Sequence, residues 1–321
     1  MRCAVTGSTG YVGSRVSAYF SSRGWTMFEF ARHSNPQSIP GCVHVPFQLE
    51  SRVDPAVFRN NRIRMLIHCA YDFRSVKWKD IHRINVDGSV ALMRAANEAG
   101  VDKIVFVSSI SAFEGCNSLY GKAKLETEKA AASMGAHVIR PGLVFGSHLS
   151  TGMFGSLQRA AAKSSLIPLI GSGKYKQYLI HEEDVCELLL RIGCGELALS
   201  AVPVVAASAQ GWQIRDLLQV LAAPHHSKIT FLPLPWRAIW IGLKLSELLG
   251  IPAPFKSDNL ISLVRQNPSP DFLTAAQIGF NFREFSSSFV AASSVGSPGP
   301  SSGVILESTE QDRGRAMGKS K

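Results

Sequence analysis

Arg2-Cys3-Ala4-Val5-Thr6-Gly7-Ser8-Thr9-Gly10-Tyr11-Val12-Gly13 is the stretch on which the fold of this chain turns. Cys3 to Thr6 is short, apolar and β-branched, the pattern of a strand covered on both faces. The glycines that follow are spaced as in a turn that leads straight into a helix. Gly7 permits the tight turn, Gly10 lets the backbone approach a pyrophosphate, and Gly13 lets the helix pack closely on the strand. Thr9, Tyr11 and Val12 complete the loop and first helical turn, whose free N–H groups and partial positive charge suit phosphate. Glycine triplets also serve ordinary turns and caps, but between a strand and a helix this one predicts a dinucleotide site.

Working outward, the same alternation continues. Strands are predicted at Arg2–Thr6, Thr26–Ala31, Cys42–Val45, Met65–Cys69, Lys103–Ser108 and His137–Arg140, with helices at Tyr11–Ser22, Pro55–Asn60, Asp87–Ala99 and Tyr120–Ser133. Strand and helix in turn at this spacing give an α/β fold, a Rossmann-type doubly wound parallel sheet. Beyond it, Ser147–Ile170 reads as a helix-bearing insertion, Lys176–Ile192 as a strand leading into a helix, Val202–Ala206 as one more strand, and Ile214–Leu221 as a helix. Pro233, Pro235, Pro252 and Pro254 bracket an amphipathic helix at Trp236–Leu249. We therefore expect a nucleotide-binding domain over 1–146, with 176–206 returning to it, and a smaller C-terminal substrate-binding lobe over 147–285. Residues 286–321, rich in Ser, Gly and charge, read as a disordered tail.

The bulk composition excludes several other classes. Of 321 residues, 45 % are apolar and 18 % charged, the balance of a chain with a true core. No apolar run is long enough to span a bilayer. The glycine motif begins so early that a secretory signal has no room, and we expect a cytoplasmic protein. Six dispersed cysteines without a CxxC pair fit reduced thiols, not a disulfide framework or a metal site. The net charge of +10 is scattered without a basic run, so it suits an anionic small ligand better than nucleic acid.

The second predicted strand bears on cofactor choice. It reads Trp25-Thr26-Met27-Phe28-Glu29-Phe30-Ala31-Arg32. An acid at the strand's tip would bind the adenosine ribose and favour NAD. Ala31 takes that place and Arg32 follows, a guanidinium suited to a 2′-phosphate. NADP is the expected cofactor, with NAD the alternative if Arg32 is merely solvated and Glu29 serves the ribose.

Lys103–Ser108 is an apolar strand running into Ser109, and eleven residues after Ser109 comes Tyr120-Gly121-Lys122-Ala123-Lys124. Tyr120 and Lys124 are spaced i,i+4 and share one helix face. On its own this spacing also fits a surface pair between Lys124 and Glu128. Here it follows a nucleotide-binding turn and a strand that ends in serines.

With these segments in view, the chain resembles the extended short-chain dehydrogenase/reductases, the NAD(P)-dependent epimerase/dehydratase family. The resemblance is carried by Thr6–Gly13, Ile67-His68-Cys69-Ala70-Tyr71, Ile84-Asn85-Val86-Asp87-Gly88, Val107-Ser108-Ser109, Tyr120–Lys124, Arg140–Gly146 and Tyr178–Val185, in order over residues 1–285. It implies that Tyr120 is the acid/base at the reacting oxygen, with Lys124 favouring its phenolate and holding the nicotinamide ribose. It further implies that Ser109, or else Ser111, hydrogen-bonds the reacting oxygen. Ala70, Tyr71, Asn85, Ser108, Pro141 and Val144 would line the cofactor cleft, while His68 and His181 have structural roles.

The chain departs from the family pattern in places. The segment from Ser109 to Tyr120 is short, Phe113-Glu114-Gly115 stands where Val-Tyr-Gly is common, and Gln48 replaces an acid near the adenine. Ile110 and Ser111 occupy the positions where sugar-nucleotide dehydratases carry Asp and Glu, which argues against dehydration. The expected activity is reversible hydride transfer on a secondary alcohol or ketone, a nucleotide-sugar or related carbohydrate, giving net reduction or epimerisation. The alternative is a dinucleotide-binding sensor or scaffold without catalysis. Family habit suggests a homodimer.

Overall fold

Strands that are apolar on both faces bury themselves only if helices cover both sides of the sheet. A computed structural model describes residues 1–34, 39–146, 152–197, 199–253 and 255–286. In chain order the first strands and helices are β1 (Arg2–Thr6), α1 (Tyr11–Ser21), β2 (Thr26–Ala31), β3 (Cys42–Pro46), α2 (Ala56–Asn60), β4 (Met65–His68) and α3 (Trp78–Ile81). A π-helix over His82–Asp87 then leads into α4 (Gly88–Glu98), β5 (Lys103–Val107), α5 (Leu119–Ser133), β6 (His137–Pro141) and β7 (Leu143–Phe145). Next come α6 (Gly152–Lys163), β8 (Leu166–Ile170), β9 (Lys176–His181), α7 (Glu182–Cys194), β10 (Val204–Ala206), β11 (Gly211–Gln213) and α8 (Ile214–Ala222). The last described elements are β12 (Thr230–Leu234), α9 (Trp236–Leu249), α10 (Ser257–Val264) and α11 (Leu273–Gln277).

The main sheet has seven strands in the order β10-β6-β5-β4-β1-β2-β3, every pairing parallel. The chain reverses its winding between β1 and β4, the place where a doubly wound sheet opens a crevice beyond its strand ends. One face is filled by Phe20, Met27, Met65, Val105, Ile180 and Leu188, with helix residues from α1 and α7. The other carries Phe28, Phe30, Phe58, Leu66, Leu92, Met93 and Phe106, under α2, α4 and α5. Both faces are thus covered, as the apolar strands require.

The predicted strands and helices appear within a residue or two of their expected places, and the fold adds elements that the sequence did not reveal. The helix expected from Asp87 is preceded by a π-turn and by α3, since a wider helical turn leaves no distinct periodicity. β8 and β12 form a parallel pair of their own that the sequence did not reveal. Pro168 and Pro233 lie within it, and proline in a run argues against a strand except at an edge. A further small sheet joins β7, β9 and β11, and a third core of Phe145, Phe154, Leu169, Leu179, Leu217 and Phe285 packs around it. The expected tail lies outside the described residues apart from Ser286, and so does Pro254. No helix among the described residues is long and apolar enough to cross a membrane.

Candidate active site

The glycine turn is built as a cradle. Gly7 sits at φ +69°, and a Cβ there would stand 3.0 Å from the Ala70 Cα. A Cβ on Gly13 would lie 2.3 Å from the Gly7 carbonyl oxygen, so only glycine lets α1 approach the turn this closely. Gly10 caps α1 without any side-chain acceptor, and no acid occupies the first turn. The first N–H groups of α1 are therefore open to a phosphate. These features fit a dinucleotide pyrophosphate.

Behind the cradle runs a buried hydrogen-bond chain. His68 sits at the end of β4, wholly buried, with Nδ1 2.6 Å from the Thr6 Oγ1 and Nε2 2.8 Å from the Ser89 Oγ. The Ser89 hydroxyl donates to the Asn85 carbonyl, so it accepts from Nε2–H. Nδ1 then accepts from Thr6, whose oxygen takes the Ala70 N–H at 3.1 Å. Burial, then the Lys124 charge, push His68 down to about 3, which keeps the ring neutral as both roles demand. The histidine thus fastens the strand ends beneath the glycine turn.

Asn85, on the π-helix, holds the loop after β4 through both backbone groups of Asp72. Its Oδ1 accepts the Asp72 N–H at 2.6 Å and its Nδ2 donates to the Asp72 carbonyl at 3.1 Å. That loop delivers Tyr71 and Phe73 to the Tyr120 ring, at centroid distances of 4.8 and 5.7 Å.

Tyr120 and Lys124 lie on one face of α5, as their spacing predicts. Burial pushes the Tyr120 phenol up to about 12, against a smaller lowering effect from the nearby Ser109 hydroxyl. The Lys124 ammonium donates to the Val107 carbonyl at 2.8 Å and stands 6.0 Å from the Tyr120 ring centre. Its surroundings are the Phe106 and Tyr71 rings at 4.6 and 5.5 Å. Desolvation brings it down to about 8, against smaller opposing contributions from Cys69 and Glu128. Lys124 is therefore a buried group and not the surface partner of Glu128. Glu128 instead binds Arg140 through two nitrogens, the shorter contact 2.6 Å, and accepts from the Ser108 hydroxyl.

Not every expected residue turns its side chain to this point. The Ser108 side chain is committed to Glu128, away from Tyr120. The Tyr11 hydroxyl donates to the buried Glu182 on α7, so only its backbone remains for a phosphate. Val144 lies beside Tyr11, Val12 and Glu182. Pro141 closes β6 and its carbonyl accepts the Ile110 N–H at 3.0 Å, setting the course of the serine loop. Arg32 is exposed at the tip of β2, and its charge reaches Asp72. Glu29 is buried in mid-strand, one carboxylate oxygen without a hydrogen-bond partner.

Two further residues shape the site and carried no local signal. Asp258 of α10 accepts the N–H groups of Leu119 at 2.7 Å and Tyr120 at 2.9 Å, capping the helix that bears the tyrosine. A Cβ on Gly121 would stand 2.3 Å from the Ser111 carbonyl oxygen, so this glycine lets the serine loop lie against α5. Asp258 is 138 residues from Tyr120 in sequence, beyond any motif.

Sheet order, crevice and glycine cradle define a doubly wound dinucleotide-binding protein. The chain belongs to the NAD dependent epimerase/dehydratase family, whose profile matches residues 3–193. It is 26 % identical over 243 residues to a ceramide reductase of Caulobacter vibrioides, covering 72 % of this chain and 73 % of that one. It is 24 % identical over 213 residues to a UDP-glucose 4-epimerase of Vibrio cholerae, covering 58 % and 64 %. Among solved structures, MoeE5 in complex with UDP-glucuronic acid and NAD has a TM-score of 0.71 at 17 % identity, over 91 % of this chain and 97 % of that one. The family is one of enzymes dependent on a nicotinamide dinucleotide.

Proposed function

We propose that this protein is an NADP-preferring oxidoreductase that transfers a hydride to or from a secondary alcohol or ketone, with Tyr120 as the proton-transferring group. The observation that carries the reading is the convergence of the Ser109 hydroxyl, the Tyr120 phenol and the buried Lys124 beside a loop fastened by Asn85. When bound, the cofactor supplies or accepts the hydride. In reduction, Tyr120 gives its proton to the carbonyl oxygen, and Ser109 hydrogen-bonds that same oxygen. A phenol held near 12 is protonated at neutral pH, ready for the reductive direction. Lys124 keeps donors beyond the one engaged by Val107, available to a ribose hydroxyl and to the phenolate that forms. Arg32 would meet the 2′-phosphate. The segment 147–285 would hold the substrate.

A nucleotide-sugar is the first substrate class, supported by the similarity to a UDP-glucose 4-epimerase. A ketone on a lipid is the second, supported by the similarity to a ceramide reductase and by the aromatic rim of Tyr71 and exposed Phe73 at Tyr120. Ile110 and Ser111 supply no acid–base pair for dehydration under either. Turnover of NADPH against both ketone classes decides between them. Tyr120→Phe tests the reading itself: turnover falls by about a hundred- to ten-thousand-fold while NADPH still binds. A sensor or scaffold would show no turnover in the wild-type protein and lose nothing on this substitution.

A further inference from the structure

Among the described residues, the helix α9 is packed along one side only. Leu243 is its one buried residue, while Ile241 and Leu245 are each 53 % exposed, Leu248 is 81 % exposed and Leu249 69 % exposed. At helical spacing these four fall within about 100° of arc, on the side opposite Leu243. Ile251 and Phe255, beyond the end of the helix, are exposed as well. Cations edge this stripe. Arg237 and Lys244 share the flank next to Leu248, and the Arg237 and Arg265 guanidiniums approach the Trp236 ring at 5.6 and 5.9 Å. The single acid of α9, Glu247, is turned inward, accepting from the Ser257 N–H at 2.7 Å and its hydroxyl at 3.0 Å, besides pairing with Lys244.

The same corner is tied to the active-site mouth. Lys256 donates to the carbonyls of Phe73, Arg74 and Ser75, and Asp258 caps α5 at Tyr120. An apolar helical face with the Arg237 guanidinium at its flank suits the headgroup–acyl boundary of an anionic bilayer. A second copy is disfavoured as the occupant, because each chain carries a net charge of +10 and the flanking cations would be brought together. Fourteen residues make a helix about 21 Å long, enough to lie in the interface and too short to cross it.

We propose that the exposed apolar side of α9 forms a docking surface for an anionic lipid bilayer, which brings the mouth at Phe73 and Tyr120 to the membrane. The proposal stands apart from the reaction assigned above, because its test reads binding and not turnover. The full chain is floated with vesicles of phosphatidylcholine alone, or of phosphatidylcholine and phosphatidylglycerol in about equal parts. It is expected to float with the anionic vesicles, to stay behind with the neutral ones, and to be released by salt. The double substitution Leu245→Glu and Leu248→Glu, at exposed positions, is expected to weaken vesicle binding about tenfold or more while NADPH binding is retained. Arg237→Glu is expected to weaken it in the same direction. Failure of the wild-type chain to bind anionic vesicles overturns the proposal, as does undiminished binding by the double variant. A wild-type dimer in sedimentation velocity that the double variant dissociates overturns it too, in favour of a second copy on this face.

Discussion

At the scale of single residues, charge placement bears on the proposed cofactor preference and proton chemistry. Arg32 stands exposed at the tip of β2, where a 2′-phosphate can take its planar fork. Arg32→Ala is expected to weaken NADPH binding roughly tenfold or more with NADH binding little changed, measured by fluorescence titration of both. Equal losses for the two cofactors would remove Arg32 from the recognition of that phosphate. Lys124 offers a second test. Burial holds it near 8 in the folded chain against an ordinary 10.5, so between those values the unfolded chain binds more protons. Stability from this group therefore rises as pH climbs from about 8 to 10.5, and below 8 the buried charge weighs on the fold in full. Neighbouring cysteines titrate in the opposite sense over part of this range, so a difference isolates the lysine. Wild-type stability minus that of Lys124→Met should rise across the window in denaturant titrations. A flat difference would mean that the ammonium is solvated.

At the scale of elements, α5 gathers the site because its N-terminus is held twice. Ser118 accepts the Gly121 N–H at 3.0 Å, and Asp258 takes the N–H groups of Leu119 and Tyr120. Three of the first backbone donors are thus satisfied, one pair from a helix far along the chain. Asp258→Ala is expected to cost about 1 kcal/mol in a urea titration. It should also lower kcat more than it weakens NADPH binding, since it loosens the turn that carries Tyr120 and leaves the glycine cradle alone. A loss confined to stability would make Asp258 a cap and nothing more. Farther along α5, the Glu128–Arg140 pair ties the helix to β6. The i,i+4 relation between Lys124 and Glu128 suggested a surface pair, but the helix turns both inward to different partners.

At the scale of the whole molecule, the crevice between β1 and β4 joins parts drawn from most of the chain. A ligand there would bridge the glycine turn, the loop after β4 and the head of α5, and so bind the folded state and not the unfolded one. NADPH at about a hundred times its Kd is expected to add about 2.7 kcal/mol to stability and to raise Tm with concentration. A Tm that responds to neither NADPH nor NADH would deny the cleft a cofactor.

Much of this was legible beforehand, and the reasons are local. A turn that must take positive φ at Gly7 and leave no room for a Cβ at Gly13 writes its glycines into adjacent positions. Strands buried on both faces write apolar runs, and a shared helix face writes Tyr120 and Lys124 four apart. Those constraints act within a few residues, so the amino-acid order alone determined the doubly wound sheet, the dinucleotide cradle and the helix of the site. The rest depended on contacts between distant segments. Only folding sent the Tyr11 hydroxyl to Glu182 and brought Asp258 to the head of α5. The pairing of β8 with β12, and the unpartnered side of α9, were settled in the same way. Packing and hydrogen-bond matching across such separations leave no spacing to read, because each partner's position is set by the whole fold and not by its neighbours in the chain.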